Sequence, residues 1–406
     1  MRIMLAILTI PALAATLNVT GTASAGTFGD DLAFLKEHTE IVVLSDPSGN
    51  ARVAIAPGYQ GRVMTSTATG DAGLSYGWVN RELIASKKPS PHISPWGGED
   101  RFWMGPEGGQ FAIFFSKGDP FDLEHWQTPP VIDTEAYELV SSDPYNAVFK
   151  KTTQVSNWTG TKFDIEIDRA ILLLPPSGAE RRLRVKLPDT VKLVAYETEN
   201  KITNIGNVPW TKDTGLLSIW ILGMFNPSPE TTIVIPFEAG PEDQLGPKVN
   251  DAYFGKVPAD RLVVKDNVLF FSGDGTFRSK IGLSPRRAKP IAGSYDAANK
   301  VLTLVKYSKP DNAKDYVNSM WEMQDQPYAG DVVNSYNDGP PEPGKKPLGP
   351  FYELETSSPA AALAPKASLT HVHTTVHIQG EEKDLDPIAQ EALGCSLAEI
   401  KAAFKK

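Results

Sequence analysis

Short runs of β-branched and alternating apolar residues recur along almost the whole chain, and this recurrence constrains the fold more than any other feature. Gly, Pro, Asn or Asp separates most of the runs, and the 406 residues include 33 Gly and 33 Pro, a turn-rich pattern typical of all-β proteins. Helical periodicity is confined to the ends, at residues 32–38 and 386–404. The sequence therefore predicts a mainly antiparallel β protein with short terminal helices. The predicted strands cover residues 40–45, 51–56, 111–116, 147–155, 162–174, 182–187, 191–205, 216–224, 231–237, 261–272, 300–307, 351–356 and 369–378.

The first 25 residues have the pattern of a secretory signal peptide. A positive start is followed by an apolar run over residues 3–17, and Ala-Ser-Ala at residues 23–25 forms an A-x-A cleavage site. The alternative is a membrane anchor, but a spanning helix needs about 20 apolar residues, and this shorter run contains Pro11. We therefore predict cleavage near Ala25, a periplasmic or secreted location and one domain over residues 26–406. No later apolar run predicts a membrane span.

Charge and motif content exclude several classes of function. The formal charge is −9 with acidic residues spread over the chain, whereas nucleic-acid partners require clustered Lys and Arg. The single Cys, Cys395, excludes an internal disulfide and every CxxC site. Phosphate-loop, HExxH and calcium-loop motifs are absent, and the G-x-S-x-G match at residues 73–77 lacks the parallel sheet that a nucleophile elbow needs. The sequence predicts no cofactor and no nucleic-acid partner, and it leaves the oligomeric state open.

Residues 96–110 have the composition of a sugar-binding segment. They combine two Trp, one Arg and three carboxylates with five Gly and one Pro. Aromatic faces stack on sugar rings, while Arg and carboxylates hydrogen-bond to hydroxyl groups. The alternative is an aromatic corner in which Gly only permits tight turns. The candidate binding residues here are Trp96, Asp100, Arg101, Trp103 and Glu107.

Two segments near the C-terminus place ionisable side chains on one face of a predicted strand. The period of two puts Glu353 and Glu355 together, and it puts His371, His373 and His377 together. If the two strands pair, carboxylates and imidazoles converge as an acid/base set or as a metal site at His371 and His373. An exposed polar strand face is the alternative. Glu353, Glu355, His371 and His373 are the catalytic candidates.

Three segments resemble the galactose mutarotase (aldose 1-epimerase) superfamily. They are WGGEDRFW at residues 96–103, KITNIG at residues 201–206 and YELETSSP at residues 352–359. The resemblance implies a large antiparallel β-supersandwich with a sugar bound on a concave face. It also implies that a late-strand Glu, matched here by Glu353 or Glu355, acts as base on the anomeric hydroxyl while a mid-chain His protonates the ring oxygen.

The superfamily's His does not carry over to this sequence. No His occurs between His125 and His371, and Trp96 stands where the family has a His before two Gly. Either His371 or His373 supplies the acid from another strand, or the fold is kept for binding. Trp210, which follows the second matching segment, is a further candidate for sugar binding.

A basic run follows later in the chain. Residues 278–289 carry five positive charges, so Arg278 is a candidate for binding an anionic sugar such as a uronate, with a solvated basic loop as the alternative. Residues 334–339 are typical of a turn that could line the rim of a site.

We predict an exported protein that binds a sugar or glycan and acts on it by epimerase-like acid/base chemistry. The alternatives are a noncatalytic carbohydrate-binding protein on the same fold and a metal-dependent sugar lyase or hydrolase.

Overall fold

The computed structural model describes residues 26–405, so the predicted signal peptide lies outside the described residues. Within them, eighteen strands form three sheets in which all neighbouring strands are antiparallel. The prediction of a mainly antiparallel β protein is confirmed, and one domain over residues 26–406 stays a prediction. The strands are β1 (Val42–Ser45), β2 (Arg52–Ala56), β3 (Arg62–Thr67), β4 (Arg101–Gly105), β5 (Glu138–Asp143), β6 (Asn146–Ser156), β7 (Lys162–Leu173), β8 (Lys192–Asn204), β9 (Ser218–Phe225), β10 (Thr231–Pro236), β11 (Leu262–Val264), β12 (Val268–Ser272), β13 (Ser279–Leu283), β14 (Ile291–Asp296), β15 (Val301–Tyr307), β16 (Val333–Asn337), β17 (Tyr352–Ser357) and β18 (Ser368–Gln379).

The sheets differ in size and order. A three-stranded sheet has the order β1-β2-β3, and a ten-stranded sheet has the order β11-β12-β10-β14-β15-β18-β8-β7-β6-β5. A five-stranded sheet has the order β13-β16-β17-β9-β4. The helices are α1 (Phe28–His38), α2 (Arg81–Ser86), α3 (Pro130–Asp133), α4 (Pro176–Leu183), α5 (Glu242–Leu245), α6 (Glu382–Leu393) and α7 (Leu397–Ala402).

The predicted terminal helices are confirmed as α1 at one end and α6 with α7 at the other. Thr27 caps α1 by accepting a hydrogen bond from the backbone N–H of Asp30. Ser396 and Glu399 form a capping box on α7. Cys395 is buried between α6 and α7. Among residues 26–405, no helix is long and apolar enough to cross a membrane.

Two predicted strands are wrong. Residues 111–116 form turns, and their aromatic side chains, such as Phe114, fill the core from there. Residues 182–187 are not extended because α4 begins at Pro176, a residue suited to the first helical turn, and Arg184 ends it with a positive φ of 59°. Conversely, β16 occupies much of the segment predicted as a turn at residues 334–339.

The ten-stranded sheet packs one face against the other two sheets, and helices α4, α6 and α7 cover part of its other face. Along β18, Val376 and Ile378 face the cluster that includes Leu385 and Ile388 of α6, and the His residues face the five-stranded sheet. This layered arrangement removes the apolar side chains between the sheets and under the helices from water.

The five-stranded sheet therefore has two faces. Thr356, on what we call the inner face, contacts His371 and His373 of β18. On what we call the cavity face, cross-strand neighbours align Lys280, Tyr336 and Glu353, and Glu355 lies two residues further along β17. This alternation follows from the two-residue period of a strand, and it positions the candidate site.

Candidate functional site

A cavity of about 640 Å³ lies over the cavity face. Its volume is in the range of pockets that bind small molecules. The sheet supplies part of its lining, and the loop before β4 and the loops that follow β4, β10, β12, β15 and β16 supply the rest. The residues from the five strands are Gly105, Ser218, Trp220, Lys280, Asn334, Tyr336 and Ser357.

Aromatic side chains dominate the walls of the cavity. Trp126 and Trp321 stack with their ring centroids 5.7 Å apart, and Trp220 packs edge-on against Trp103 beneath it. Flat apolar faces with a few polar groups between them suit a ring that carries hydroxyl groups. The aromatic lining residues are Trp126, Trp220, Tyr253, Phe254, Trp321 and Tyr336.

An ammonium group lies between two carboxylates at the cavity face. Nζ of Lys280 lies 2.9 Å from a carboxylate oxygen of Glu355 and 4.8 Å from the ring centroid of Trp220. Burial lowers the pKa of Lys280, but Glu355 and Glu107 raise it by more, so the pKa lies above its usual value. Lys280 therefore stays protonated at neutral pH.

Glu107 is the second carboxylate beside Lys280, and it lines the cavity. Its Oε1 accepts a hydrogen bond of 3.2 Å from the indole N–H of Trp321. Burial raises the pKa of Glu107 to about 6, against the opposing charge of Lys280. A carboxyl group with this pKa is present in both protonation states near neutral pH, as general acid/base catalysis requires.

Two further acids hold aromatic rings in place around the cavity. The hydroxyl of Tyr253 donates to Asp331 at 2.6 Å, and the hydroxyl of Tyr336 donates to Asp338 at 2.7 Å. Burial raises the pKa of both Asp331 and Asp338. Because each acid is bound to a phenol, both serve chiefly to fix the orientation of the rings.

Of the predicted binding residues, Glu107 and Arg278 line the cavity. Arg101 and Trp103 lie on the same face but beneath the lining: Arg101 forms an ion pair with Glu353 at 2.5 Å, and its guanidinium lies 5.2 Å from the ring centroid of Trp103. Burial raises the pKa of Glu353, and the charge of Arg101 opposes this increase.

The two predicted catalytic carboxylates do not line the cavity. Glu353 is almost fully buried, and Glu355 is fully buried. The contacts above show what they do: Glu353 holds Arg101, and Glu355 holds Lys280 while accepting a hydrogen bond of 3.0 Å from the indole N–H of Trp220. One oxygen of Glu355 has no hydrogen-bond partner within residues 26–405. Both carboxylates thus lie under the site, whereas Glu107 lines it.

Three other predicted binding residues lie away from the cavity. Trp96 stacks on Tyr59 with ring centroids 5.0 Å apart, and Trp210 packs edge-on against Phe163. Asp100 forms an ion pair with Arg169 at 2.5 Å, with both side chains fully buried. These three side chains complete the packing of the core, as in the aromatic-corner alternative for Trp96, and their role in binding stays a prediction.

The predicted convergence of His371 and His373 with the late Glu residues is wrong. β18 pairs with β15 and β8, not with β17. The hydroxyl of Thr356 lies 2.8 Å from Nε2 of His371 and 2.9 Å from Nδ1 of His373, so both imidazoles lie on the other side of the five-stranded sheet from the cavity. Burial lowers the pKa of His371 to about 3 and that of His373 to about 4.

The metal alternative also lacks a ligand set at these imidazoles. Both ring nitrogens of His371 lie within hydrogen-bonding distance of hydroxyl groups, those of Ser308 and Thr356. In the part of the chain that the structure describes, no group of three or more His, Cys, Asp and Glu side chains is arranged to hold a metal ion.

Several cavity residues were missed by the sequence prediction. Lys280 lies two residues after Arg278, and this period of two in the basic run was the signal that both project from one strand face. Trp126, Tyr253 and Trp321 come from loops far apart in the sequence, so no local pattern connects them. The turn predicted at residues 334–339 does border the cavity, through Asn334, Tyr336, Asp338 and Gly339.

The fold and site together define an antiparallel β-sandwich protein with an aromatic, charged cavity on one sheet face. The chain belongs to the family described as DUF6786, a family of unknown function, whose model matches residues 26–404. No curated protein matches the chain.

The structural neighbours of the chain are galactose mutarotase-like proteins, in agreement with the resemblance found in the sequence. A galactose mutarotase-like protein from Lactobacillus casei ATCC 334 is 12% identical over 84% of this chain and 100% of its own, with a TM-score of 0.47. The galactose mutarotase related enzyme from Lactobacillus acidophilus is 10% identical over 83% of this chain and 97% of its own, with a TM-score of 0.46. The Slr1438 protein from Synechocystis sp. PCC 6803 is 13% identical over 84% of this chain and 96% of its own, with a TM-score of 0.49. Likeness at this level of identity shows the fold alone.

Proposed function

We propose that the protein binds a sugar in the cavity and transfers protons on it, with Glu107 as the acid/base group. The observation that carries this proposal is the placement of Glu107 beside Lys280 in a cavity walled by aromatic rings. The aromatic faces would stack on the sugar ring, and the polar groups between them would bind its hydroxyls.

The chemistry would be epimerase-like. Glu107 would take the proton of the anomeric hydroxyl through one carboxyl oxygen and deliver its own proton to the ring oxygen through the other, as the bond between the anomeric carbon and the ring oxygen breaks to give the open-chain aldehyde. Lys280 would stabilise the negative charge that develops on the sugar oxygens. Glu355 is a positioning residue in this scheme, since it holds Lys280 from below.

Noncatalytic sugar binding is the second candidate. The observation that favours it is the engagement of both late-strand carboxylates in ion pairs under the cavity, Glu353 with Arg101 and Glu355 with Lys280. Neither is free to act as the base that the superfamily resemblance implies. In this case the cavity would bind a sugar that leaves unchanged.

A glycan-binding screen followed by anomer-resolved NMR tests the proposal. We expect Glu107→Gln to retain sugar binding and to slow the exchange between anomers or epimers by at least about 100-fold, the usual contribution of a general acid/base. The matched control is Glu322→Gln, because Glu322 also lines the cavity but is exposed. We expect this variant to keep full activity.

Each other outcome has a defined meaning. Binding without turnover in the unmodified protein would support the noncatalytic candidate, and unchanged turnover in Glu107→Gln would remove Glu107 from the acid/base role. If no sugar bound, both candidates would fail.

Export is also part of the proposal. Its support is the signal-peptide pattern of residues 1–25. N-terminal sequencing of the protein recovered from the periplasm or the medium tests it, with Gly26 as the expected first residue. A cytoplasmic protein that still begins at Met1 would contradict it.

A further inference from the structure

We infer that the sugar bound in the cavity carries a carboxylate, as a uronic acid does, and that Arg278 recognises it. This inference rests on the proposed function and deepens it by naming the substrate class. Arg278 lines the cavity at the position immediately before β13.

The first observation is that Arg278 differs from the other cations of the cavity. Lys280 is paired with Glu355 at 2.9 Å, and Lys346 is paired with Glu82 at 3.2 Å. By contrast, the guanidinium of Arg278 has no carboxylate oxygen within 4.0 Å in the described range of 26–405. Arg278 is thus the cavity cation with no carboxylate in direct contact, and the Tyr336 hydroxyl and the more distant charge of Asp338 interact with it.

The second observation is that the guanidinium is held in place. It lies 3.9 Å from the ring centroid of Phe254, a side chain that lines the cavity and is 46% exposed. Arg favours this stacked geometry, which keeps its planar fork of N–H donors open at the edge. Phe254 therefore orients Arg278 without neutralising it.

The acidic groups around Arg278 have other partners. The oxygens of Asp338 accept hydrogen bonds from the hydroxyl of Tyr336 at 2.7 Å and from the backbone N–H of Gly349 at 2.8 Å. Asp331 is bound to Tyr253, and Glu107 lies beside Lys280. An incoming carboxylate would therefore meet a guanidinium that no carboxylate of residues 26–405 contacts directly.

The backbone at Arg278 is also fixed by close packing. A Cβ added to Gly339 would lie 2.5 Å from the backbone nitrogen of Arg278 and 2.6 Å from Cα of Phe277. Only a glycine allows the two segments to approach so closely. Because the segment is positioned before a ligand arrives, less entropy is lost on binding.

The ligand chemistry follows from these contacts. A guanidinium binds a carboxylate through two parallel N–H···O bonds, which gives geometric specificity as well as affinity. The hydroxyl groups of the same sugar would meet the aromatic and acidic groups of the cavity. A uronic acid supplies both functions on one ring.

Calorimetric titration with D-glucuronate and D-galacturonate, against D-glucose and D-galactose, tests the inference. We expect at least one acid to bind about tenfold or more tightly than its neutral counterpart. We expect Arg278→Gln to abolish that preference, and Arg278→Lys to restore only part of it because Lys lacks the fork. The control is Arg286→Gln, since Arg286 donates to the backbone oxygen of Gln244 and does not line the cavity. It should leave the preference unchanged.

Two results would overturn the inference. One is equal affinity of the unmodified protein for acidic and neutral sugars, which would leave sugar binding itself standing. The other is a preference for the acid that survives in Arg278→Gln. Thermal unfolding of each variant verifies that a lost preference reflects the site and not a failure to fold.

Discussion

The two faces of the five-stranded sheet use charged residues in opposite ways. On the inner face, the groups are enclosed between two sheets, as with the Asp100–Arg169 ion pair and the imidazoles around Thr356. On the cavity face, Lys280 and Glu107 border a cavity of about 640 Å³ that can admit a ligand. The comparison teaches that a cluster of ionisable residues marks a functional site only where space remains beside it.

The difference is also energetic. Charges buried between sheets stabilise the fold only if they keep their partners, because an unpaired buried charge is strongly unfavourable. Ionisable groups at a cavity can be kept in protonation states that cost the fold some stability. Catalysis uses such shifted protonation states. Removing groups from each face in turn tests this contrast.

The largest effect is expected from Arg169→Met on the inner face. Arg169 lies on β7 and binds both Asp100 and the side-chain oxygen of Asn200. Its loss leaves the carboxylate of Asp100 buried without its cation, so we expect the free energy of unfolding to fall by about 3–5 kcal/mol. Urea denaturation followed by tryptophan fluorescence measures this.

The control for Arg169→Met is Lys201→Met. Lys201 pairs with Asp168 at 2.9 Å across the same two strands, β7 and β8, but both side chains are partly exposed. We expect little change in stability, as for most surface ion pairs. If the two variants were equally stable, the inner face would not depend on its charges.

A smaller effect is expected from the pH dependence of the inner imidazoles. In the folded protein the pKa of His371 is about 3 and that of His373 about 4, below the usual value of about 6.5. The unfolded chain therefore binds more protons between these limits, so stability is complete above pH 6.5 and falls as the pH decreases. From pH 7 to pH 5 we expect a loss of about 2 kcal/mol for each imidazole.

The double variant His371→Gln/His373→Gln tests that origin. Urea denaturation at a series of pH values should show a shallower loss of stability on acidification than in the unmodified protein. His125→Gln is the control, because His125 is partly exposed and bound to Asp122, which raises its pKa instead. An unchanged slope in the double variant would place the acid sensitivity elsewhere.

Much of the fold was predictable because the alternation of side chains is local. The period of two correctly placed His371, His373 and His377 on one face of β18, and Glu353 with Glu355 on one face of β17. The surroundings of a polar strand face, by contrast, are not determined by the local sequence. They depend on which strands pair, and β18 has one neighbour, β8, more than 160 residues earlier in the chain, so the sequence of one strand does not encode its neighbour.

The site was predictable only where one short segment supplied the signal. Glu107 and Arg278 come from segments with unusual composition, and both line the cavity. Trp126 and Trp321 stack on each other from loops nearly 200 residues apart, so only the folded chain brings them together. Trp96 and Asp100 share the composition of the Glu107 segment but point into the core, since composition does not specify direction.

The smallest effect, and the one with the opposite sign, is expected from Glu107→Gln on the cavity face. The folded-state pKa of Glu107, about 6 because of burial, lies above its usual value of about 4.3. Its contribution to stability is therefore complete below about pH 4.3 and is lost as the pH rises through 6. Replacing it with neutral Gln should raise the free energy of unfolding at pH 8 by about 1 kcal/mol.

The sign of this change decides whether the two faces really differ. Lys280 keeps Glu355 as a partner in Glu107→Gln, so the substitution leaves no cation unpaired. The gain measured by urea denaturation at pH 8 should disappear at pH 4, where Glu107 itself is neutral. Glu322→Gln, at an exposed position on the same cavity, should change stability at neither pH. A loss of stability in Glu107→Gln at pH 8 would mean that this carboxylate supports the fold as Asp100 does, and the cavity would then lose its best evidence of a group kept for chemistry.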